Sequence, residues 1–149
     1  MDRRTFLRNS GFLTVSVALG GLAGCGGDSG GLAVPAALGS GWKFPQSVAS
    51  GDPSPEGAVL WTRVVASSAD DVTTASDTGD FSIRVKVTEA DNSARLGTTT
   101  ALAGALAVDN WIPVYAAYDG TVRNKLTGLK PATTYYYQFE AGMVLSRVG

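Results

Sequence analysis

The chain has 149 residues, with 12 lysines and arginines, 13 aspartates and glutamates, a single cysteine and no histidine. Without imidazole it lacks the commonest general base near neutral pH and the commonest neutral metal ligand, which argues against a self-contained triad hydrolase or zinc enzyme. A net charge of −1 gives no electrostatic basis for binding nucleic acid, and one cysteine excludes an internal disulfide framework. The length accommodates one ordinary globular domain.

The first 24 residues have the features of an export signal. Arg3, Arg4, Phe6 and Leu7 match the twin-arginine motif, in which two arginines precede a Phe-Leu pair. Residues 11–23 follow as 13 uncharged, mostly apolar or small residues, fewer than the roughly 20 that a membrane-spanning helix needs. The pattern predicts export by the twin-arginine translocase, a route that implies folding or cofactor insertion beforehand. An amphipathic N-terminal helix is the alternative.

Cys25 closes this segment in a sequence, Leu-Ala-Gly-Cys, that resembles a bacterial lipobox. In a lipobox the cysteine becomes the first mature residue and its sulfur carries the lipid. We therefore predict a lipoprotein signal peptide over 1–24, a membrane anchor at Cys25, and a periplasmic or cell-surface location. The alternative is cleavage elsewhere with Cys25 discarded. Residues 25–41 are rich in Gly, Ala and Ser and predict a flexible tether.

From residue 42 onward the sequence shows strand signals and no useful stretch of helical periodicity. Residues 44–50 predict a short edge strand because Pro45 cannot donate to a central ladder. The Gly- and Pro-rich run 51–57 predicts a turn. Residues 58–65 are apolar on both faces and predict a central, buried strand, and 66–79 predict a polar loop.

The strict alternation of apolar and polar residues over 81–88 is the cleanest strand pattern, with one face on a core and the other in water. Residues 95–100 predict a weaker strand and 102–108 are unassigned. The aromatic run 111–118 contains Pro113, which argues against a central strand. Residues 121–126 predict another strand, with Val122 and Leu126 inward.

The last predicted strand, 134–141, again alternates, and it is preceded by a Leu-Lys-Pro turn. Leu129, Pro131 and Tyr135 resemble the E–F corner of fibronectin type III domains, where a tyrosine hydroxyl bonds back to upstream backbone. Several short strands without helices predict an all-β fold. We expect an antiparallel β-sandwich of the fibronectin type III or immunoglobulin-like kind over 42–149.

Two groups of residues offer weak ligand-binding signals. The acidic residues of 70–80 could form a Ca²⁺ loop, but their spacing matches no EF-hand, and a solvated loop is the favoured interpretation. Trp111, Tyr115 and Tyr118 could stack on a sugar ring, whereas a role as core and loop aromatics is favoured. The sequence therefore predicts no catalytic residue and no metal ligand.

Two longer segments carry a more specific resemblance, to the N-terminal domain of the alkaline phosphatase D family. That domain opens with F-x-x-x-V-A-S-G-D-P, continues with L-W-T-R, and later shows G-L-x-P-x-T-x-Y-x-Y-x-F and S-x-V-G. The later motifs correspond here to 128–139 and 146–149. The residues matching the two opening motifs include Val48, Ser50, Gly51, Asp52, Pro53, Leu60, Trp61, Thr62 and Arg63.

The resemblance implies a sandwich domain that, in the family, precedes a metallophosphoesterase domain hydrolysing phosphate esters with Ca²⁺ and Fe³⁺. None of the metal ligands of that domain can be assigned to this chain, so no cofactor is expected within it. The chain by itself is expected to be inactive, with the C-terminal catalytic domain as its partner. A free-standing fibronectin-like binding module and a truncated gene fragment are the alternatives.

The sequence departs from the family pattern in two places. Asn124 stands where an inward apolar residue is usual, which predicts either a locally satisfied amide or a register shift. The stop at Gly149 is expected to remove the last strand and leave an edge unpaired.

Asp52 and Arg63 are charged residues inside the signature. A turn cap for Asp52 and a packed stem with an acidic partner for Arg63 are the favoured interpretations. Docking of the catalytic domain on 50–63 is a secondary hypothesis.

Overall fold

The computed structural model describes residues 41–68 and 79–149. The predicted signal peptide, Cys25 and almost all of the tether lie outside the described residues, as does most of the acidic loop. Within the described part no helix is long and apolar enough to cross a membrane.

The described residues form strands joined by turns and two short 3₁₀ segments, Ser93–Arg95 and Ala116–Tyr118. The strands are β1 (Trp42–Lys43), β2 (Val48–Ser54), β3 (Gly57–Arg63), β4 (Val65–Ala66), β5 (Phe81–Thr88), β6 (Leu106–Val114), β7 (Thr121–Leu126), β8 (Tyr136–Ala141) and β9 (Val144–Leu145). The all-β prediction is confirmed.

Two antiparallel sheets enclose one core. The first has strand order β2-β3-β7 and the second β6-β5-β8-β9, while β1 and β4 form a small separate pair. The buried side chains of both larger sheets belong to a single apolar cluster: Leu60, Val122 and Leu126 from the first, and Phe81, Ile83, Val85, Val87, Ile112, Val114, Tyr137, Phe139 and Ala141 from the second. This arrangement is that of the expected β-sandwich.

Strand β5 occupies the predicted range and lies between β6 and β8. Its apolar face is buried completely or nearly so, with Phe81 1% exposed and Val85 0%. On the opposite face Arg84 pairs with Asp109 of β6 and Lys86 with Glu140 of β8. Period-two alternation thus places one face in the core and a ladder of ion pairs on the other.

The N-terminal hairpin differs from its prediction. Pro45 lies in a turn, and β2 begins at Val48 and continues through the Gly-Asp-Pro run to Ser54. Pairing with β3 is irregular between Gly51 and Ser54, where Asp52 has φ +48°. The expected turn over 51–57 is therefore a β-bulge followed by a tight reversal. Gly57 is required there, since a Cβ would lie 2.4 Å from the Leu126 carbonyl oxygen.

The central position of β3 is confirmed, because β2 and β7 flank it on both sides. The edge position expected from Pro113 is also confirmed, since β6 lies at the margin of its sheet. The weak strand predicted over 95–100 is wrong. The chain there makes the 3₁₀ turn and a single bridge between Leu96 and Val148.

The expected unpaired edge is absent along β8. The segment 144–149 covers it, first as β9 and then through the Ser146 amide, which donates to the Phe139 carbonyl. Tyr137 and Gly149 exchange two backbone hydrogen bonds of 3.0 Å each. The outer backbone groups of β8 thus find hydrogen-bond partners in the segment that ends at Gly149. The prediction that this edge is unpaired is wrong.

Gln138 of β8 is buried on the side away from the core, 1% exposed. Its amide nitrogen donates to the carbonyl oxygens of Thr100 at 3.1 Å and Ser146 at 2.9 Å. Its amide oxygen accepts from the Leu102 backbone at 3.2 Å. One side chain therefore fastens both the 92–104 loop and the C-terminal segment to the sheet.

Replacing Gln138 with leucine should lower the free energy of unfolding by about 2 kcal/mol, because buried backbone groups lose their partners. Chemical denaturation of the purified chain measures this. Thr127→Leu is the control, since Thr127 is exposed, and should change stability by less than about 0.5 kcal/mol. Equal effects of both substitutions would contradict the role assigned to Gln138.

Candidate functional site

The two opening motifs form one hairpin. In the β2–β3 ladder Val48 lies opposite Thr62 and Ser50 opposite Leu60. The two motifs, which are separated in sequence, are therefore adjacent in the structure.

Burial divides the signature residues by strand. Leu60, Thr62 and Arg63 of β3 are buried, whereas Ser50, Gly51, Asp52 and Pro53 of β2 are exposed. Val48 and Trp61 are half-buried. The hairpin therefore has an internal strand that holds the sheet together and an external strand that faces solvent.

Thr62 and Arg63 are buried polar residues with specific partners. The Thr62 hydroxyl donates to the Ser47 carbonyl at 2.7 Å, across the start of the hairpin. Arg63 is 6% exposed, and its guanidinium contacts Asp119 twice: Nε donates to the backbone carbonyl at 3.0 Å and Nη2 to Oδ1 at 2.9 Å. The predicted acidic partner at the tip of Arg63 is Asp119.

Asp119 can take this position because of its local backbone. It ends the 3₁₀ turn Ala116–Tyr118 with φ +56°, a conformation that aspartate tolerates better than most residues. The following Gly120 accepts a hydrogen bond from the Val64 amide at 3.0 Å. Arg63 and Asp119 together tie the end of β3 to the β6–β7 connection.

Asp52 behaves differently. It is exposed, and its carboxylate makes no hydrogen bond with another described residue. The predicted cap by Asp52 is therefore not seen; the Ser54 hydroxyl instead donates to the Gly57 carbonyl at 3.2 Å across the reversal. Asp52 is thus a charged residue of β2 that is available to an external partner.

The corner residues lie beside the hairpin. The Lys130 amide donates to the Tyr135 hydroxyl at 2.8 Å, which is the kind of backbone tie that a tyrosine corner requires. The Leu129 amide donates to the Glu56 carbonyl at 2.9 Å and so joins the corner to the β2–β3 reversal. A hydrogen bond with Glu89 raises the pKa of Lys130 above its usual value.

A cleft of about 390 Å³ opens between this corner and the hairpin, with Ser50, Leu60, Leu126 and Tyr137 in its lining. Tyr137 packs edge-on against Phe139 with ring centroids 6.2 Å apart, and burial raises the pKa of its hydroxyl. Lys130 is the charged residue in its lining.

A second cavity, of about 640 Å³, lies between β6 and β7 and includes Tyr115, Tyr118 and Asn124. Neither alternative for Asn124 is correct: the β3–β7 register runs without a shift, yet the buried Nδ2 atom has no hydrogen-bond partner. Tyr115 and Tyr118 are 40% and 66% exposed, so they are not core aromatics. Trp111 lies elsewhere, under the Arg84 guanidinium.

The Ca²⁺ and Fe³⁺ of the resembled family find no matching residues here. The described ranges contain no group of three or more metal-ligating side chains, and the sequence has no histidine. The described residues therefore do not fit these metals, and no catalytic step can be derived through them.

Replacing Arg63 with alanine should lower the free energy of unfolding by about 2 kcal/mol, through lost packing and charge-assisted hydrogen bonds. Arg63→Lys should not restore the lost stability, since an ammonium group lacks the planar, multiple donors of a guanidinium. Arg84→Ala, which removes a more exposed ion pair, is the control and should cost less than about 1 kcal/mol. Thermal or urea unfolding measures these differences in stability. An Arg63→Lys variant as stable as the parent would contradict the stabilising role assigned to the Arg63 guanidinium.

Comparisons with known proteins agree with this architecture. A search of curated proteins found no match. Among solved structures, the chain is similar to one titled "Structure of PhoD", with 25% identity and a TM-score of 0.56, covering 74% of this chain and 19% of that one. It is also similar to the sensor domain of the anti-sigma factor RsgI4 from Pseudobacteroides cellulosolvens, with 13% identity, a TM-score of 0.46, and coverage of 73% and 90%. The second similarity is too low to carry an argument.

The family comparison covers the whole described region. The profile of the family "PhoD-like phosphatase, N-terminal domain" matches residues 32–149, beginning ten residues before the predicted domain boundary at 42. The match thus includes the hairpin, the Arg63–Asp119 contact and the tyrosine corner. The chain belongs to the PhoD-like phosphatase N-terminal domain family.

Proposed function

We propose that the chain is the exported N-terminal module of an alkaline phosphatase D-like phosphate ester hydrolase and that hydrolysis requires a C-terminal metallophosphoesterase domain. The family match over residues 32–149 carries the proposal. The chain spans only 19% of the solved PhoD structure. In this proposal the 149 residues supply a folded platform, and the catalytic metals belong to the partner domain.

The exposed strand of the hairpin is the proposed platform surface. Arg63 is excluded as a docking group because its guanidinium is turned to Asp119 inside the domain. Asp52 and its neighbours on β2 are exposed, and β2 lies at the edge of its sheet. The docking hypothesis is thereby narrowed from 50–63 to the exposed part of β2.

Purified chain is expected to hydrolyse neither p-nitrophenyl phosphate nor bis-p-nitrophenyl phosphate, with Ca²⁺ and Fe³⁺ present. The reason is that it contains no histidine and, over the described ranges, no cluster of metal ligands. A full-length relative with both domains is the positive control. Turnover by the 149 residues alone would contradict the proposal.

Docking is tested in that full-length relative with the substitution Asp52→Asn, which keeps a residue that tolerates positive φ. Unchanged activity and unchanged stability of the Asp52→Asn variant would exclude docking at that residue.

We also propose that the module is a lipoprotein exported by the twin-arginine translocase and anchored in the membrane through Cys25. The support is the sequence itself: the motif Arg3-Arg4 with Phe6-Leu7, the short apolar run, and the cysteine directly after it.

Mass spectrometry of the protein recovered from membranes is expected to find a diacylglyceryl group on an N-terminal Cys25. Cys25→Ala should release the protein from the membrane, because a single residue carries the anchor. An unmodified Cys25, or a mature chain that begins after it, would refute the lipoprotein assignment.

A free-standing cell-surface binding module is the second candidate function. The open cavity with two exposed tyrosines favours it. It predicts that the chain binds a ligand in the absence of any catalytic domain.

A further inference from the structure

The outer face of the first sheet is apolar at its centre. Leu60 of β3 points into the core, so its neighbours Val59 and Trp61 point the other way, toward the outside of the sandwich. Both are half-buried. Of the described side chains that form or adjoin the core, Trp61 is not one, and its indole N–H makes no hydrogen bond with another described residue. A large aromatic ring of the signature is therefore not used inside the domain.

Two cations flank this apolar centre on one side. In the β3–β7 ladder Arg123 lies opposite Trp61, and Lys125 lies opposite Val59, so the four side chains share one face of the sheet. Arg123 and Lys125 are exposed, and neither side chain makes an ion pair or hydrogen bond with another described residue. This face thus carries two positive charges that the described part of the domain does not neutralise.

The outer face of the second sheet is different. There Arg84 pairs with Asp109, and Lys86 pairs with Glu140, so the charges are neutralised between neighbouring strands. The first sheet instead combines unpaired cations with an exposed tryptophan edge. Tryptophan and arginine are enriched at the centres of protein interfaces, and cations of one sign are complementary to an acidic surface.

Gly51 is an independent observation on the same face. It lies opposite Val59 in the β2–β3 ladder. Its φ is not in the left-handed region, and a Cβ built on it would have no heavy atom within 4 Å. Neither the backbone nor the packing of the described residues therefore requires glycine there, although glycine inside a strand is unfavourable. Close approach of a partner's backbone accounts for a glycine at this position.

We propose that the outer face of the first sheet docks an acidic surface of the C-terminal metallophosphoesterase domain. We name it the Trp61 face, and it consists of Ala49, Gly51, Val59, Trp61, Arg123 and Lys125. Trp61 is the apolar anchor, the two cations pair with carboxylates, and the open space at Gly51 admits the partner's backbone.

The choice of partner follows from the charges. A second copy of the chain does not fit, because a twofold contact between identical faces would bring the same cations together. The proposal rests on the proposed function, in which the chain precedes a catalytic domain. It extends the docking surface from the edge strand β2 across the sheet.

Hydroxyl-radical footprinting with mass spectrometry tests the docking through the oxidation of Trp61. The 149-residue chain is compared with a full-length relative that has the same residues on the Trp61 face and a tryptophan at position 111. We expect the oxidation rate of Trp61 to be at least roughly fivefold lower in the full-length protein, because docking excludes water from the anchor. Trp111 is the internal control, since it is 51% exposed on the outer face of the other sheet, and its rate should not change.

Gly51→Val separates docking from folding. It should leave the Tm of the 149-residue chain unchanged or higher, because the added side chain enters open space. In the full-length protein it should raise the oxidation rate of Trp61 to that of the isolated chain. Gly41→Val is the matched control, because Gly41 also has open space around it and lies outside the Trp61 face.

Reversal of charge tests the acidic character of the partner. Arg123→Glu combined with Lys125→Glu should remove the protection of Trp61 in the full-length protein. Arg147→Glu reverses an exposed cation that follows β9 on the other sheet and should leave the protection unchanged. Circular dichroism of each variant monitors its folding.

Equal oxidation of Trp61 in the isolated chain and the full-length protein would overturn the proposal and leave the proposed function intact. Turnover of phosphate esters by the isolated chain would contradict the proposed function, whatever the oxidation of Trp61.

Three further results would overturn the docking proposal. Protection of Trp61 that rises with the concentration of the isolated chain would assign the face to a second copy. Protection that requires vesicles of an anionic lipid would assign it to a membrane. A lower Tm of Gly51→Val in the isolated chain would mean that the fold itself requires the glycine.

Discussion

The burial of one face of β5 between the two sheets is the constraint on which the other features depend. Its apolar residues meet Leu60 and Val122 from the opposite sheet in one core, and this contact sets how the sheets face each other. Since β5 pairs on both sides, with β6 and with β8, the register of three strands is determined together. A shift of one residue would turn every core side chain of β5 toward solvent.

The margins of the sandwich carry the features that concern function. At one margin the signature hairpin has an exposed bulge at Asp52 near its reversal and a buried Arg63 at the other end of β3. At the other, β6 and β7 leave an open cavity with an unpaired amide. Small sandwiches fill their interior with apolar side chains, so polar groups with unusual environments occur where a sheet ends.

Polar contacts in this domain differ in how much they contribute to its stability. The pair Arg84–Asp109 lies on the solvent face, where screening makes an ion pair weak, even though a side-chain hydrogen bond lowers the pKa of Asp109. Arg63 and Gln138 instead contact backbone carbonyls in buried positions. Loss of either leaves backbone groups without partners, so these two residues, and not the charged ladder, hold the connections and the C-terminal segment in place.

The sequence by itself determined the strands whose alternation is complete: 81–88, 121–126 and most of 134–141 are local patterns of period two. It also identified the family, because the residues within each signature motif lie close together in the chain. It could not supply contacts between distant residues. Arg63 and Asp119 are 56 positions apart, and Gln138 reaches a loop 36 and 38 residues away. The bulge at Asp52 and the covered edge of β8 depend on the neighbouring strand. Asn124 was visible as an exception, but only the packing of β6 against β7 decided that its amide would have no partner, because periodicity reports the direction of a side chain and not what lies opposite it.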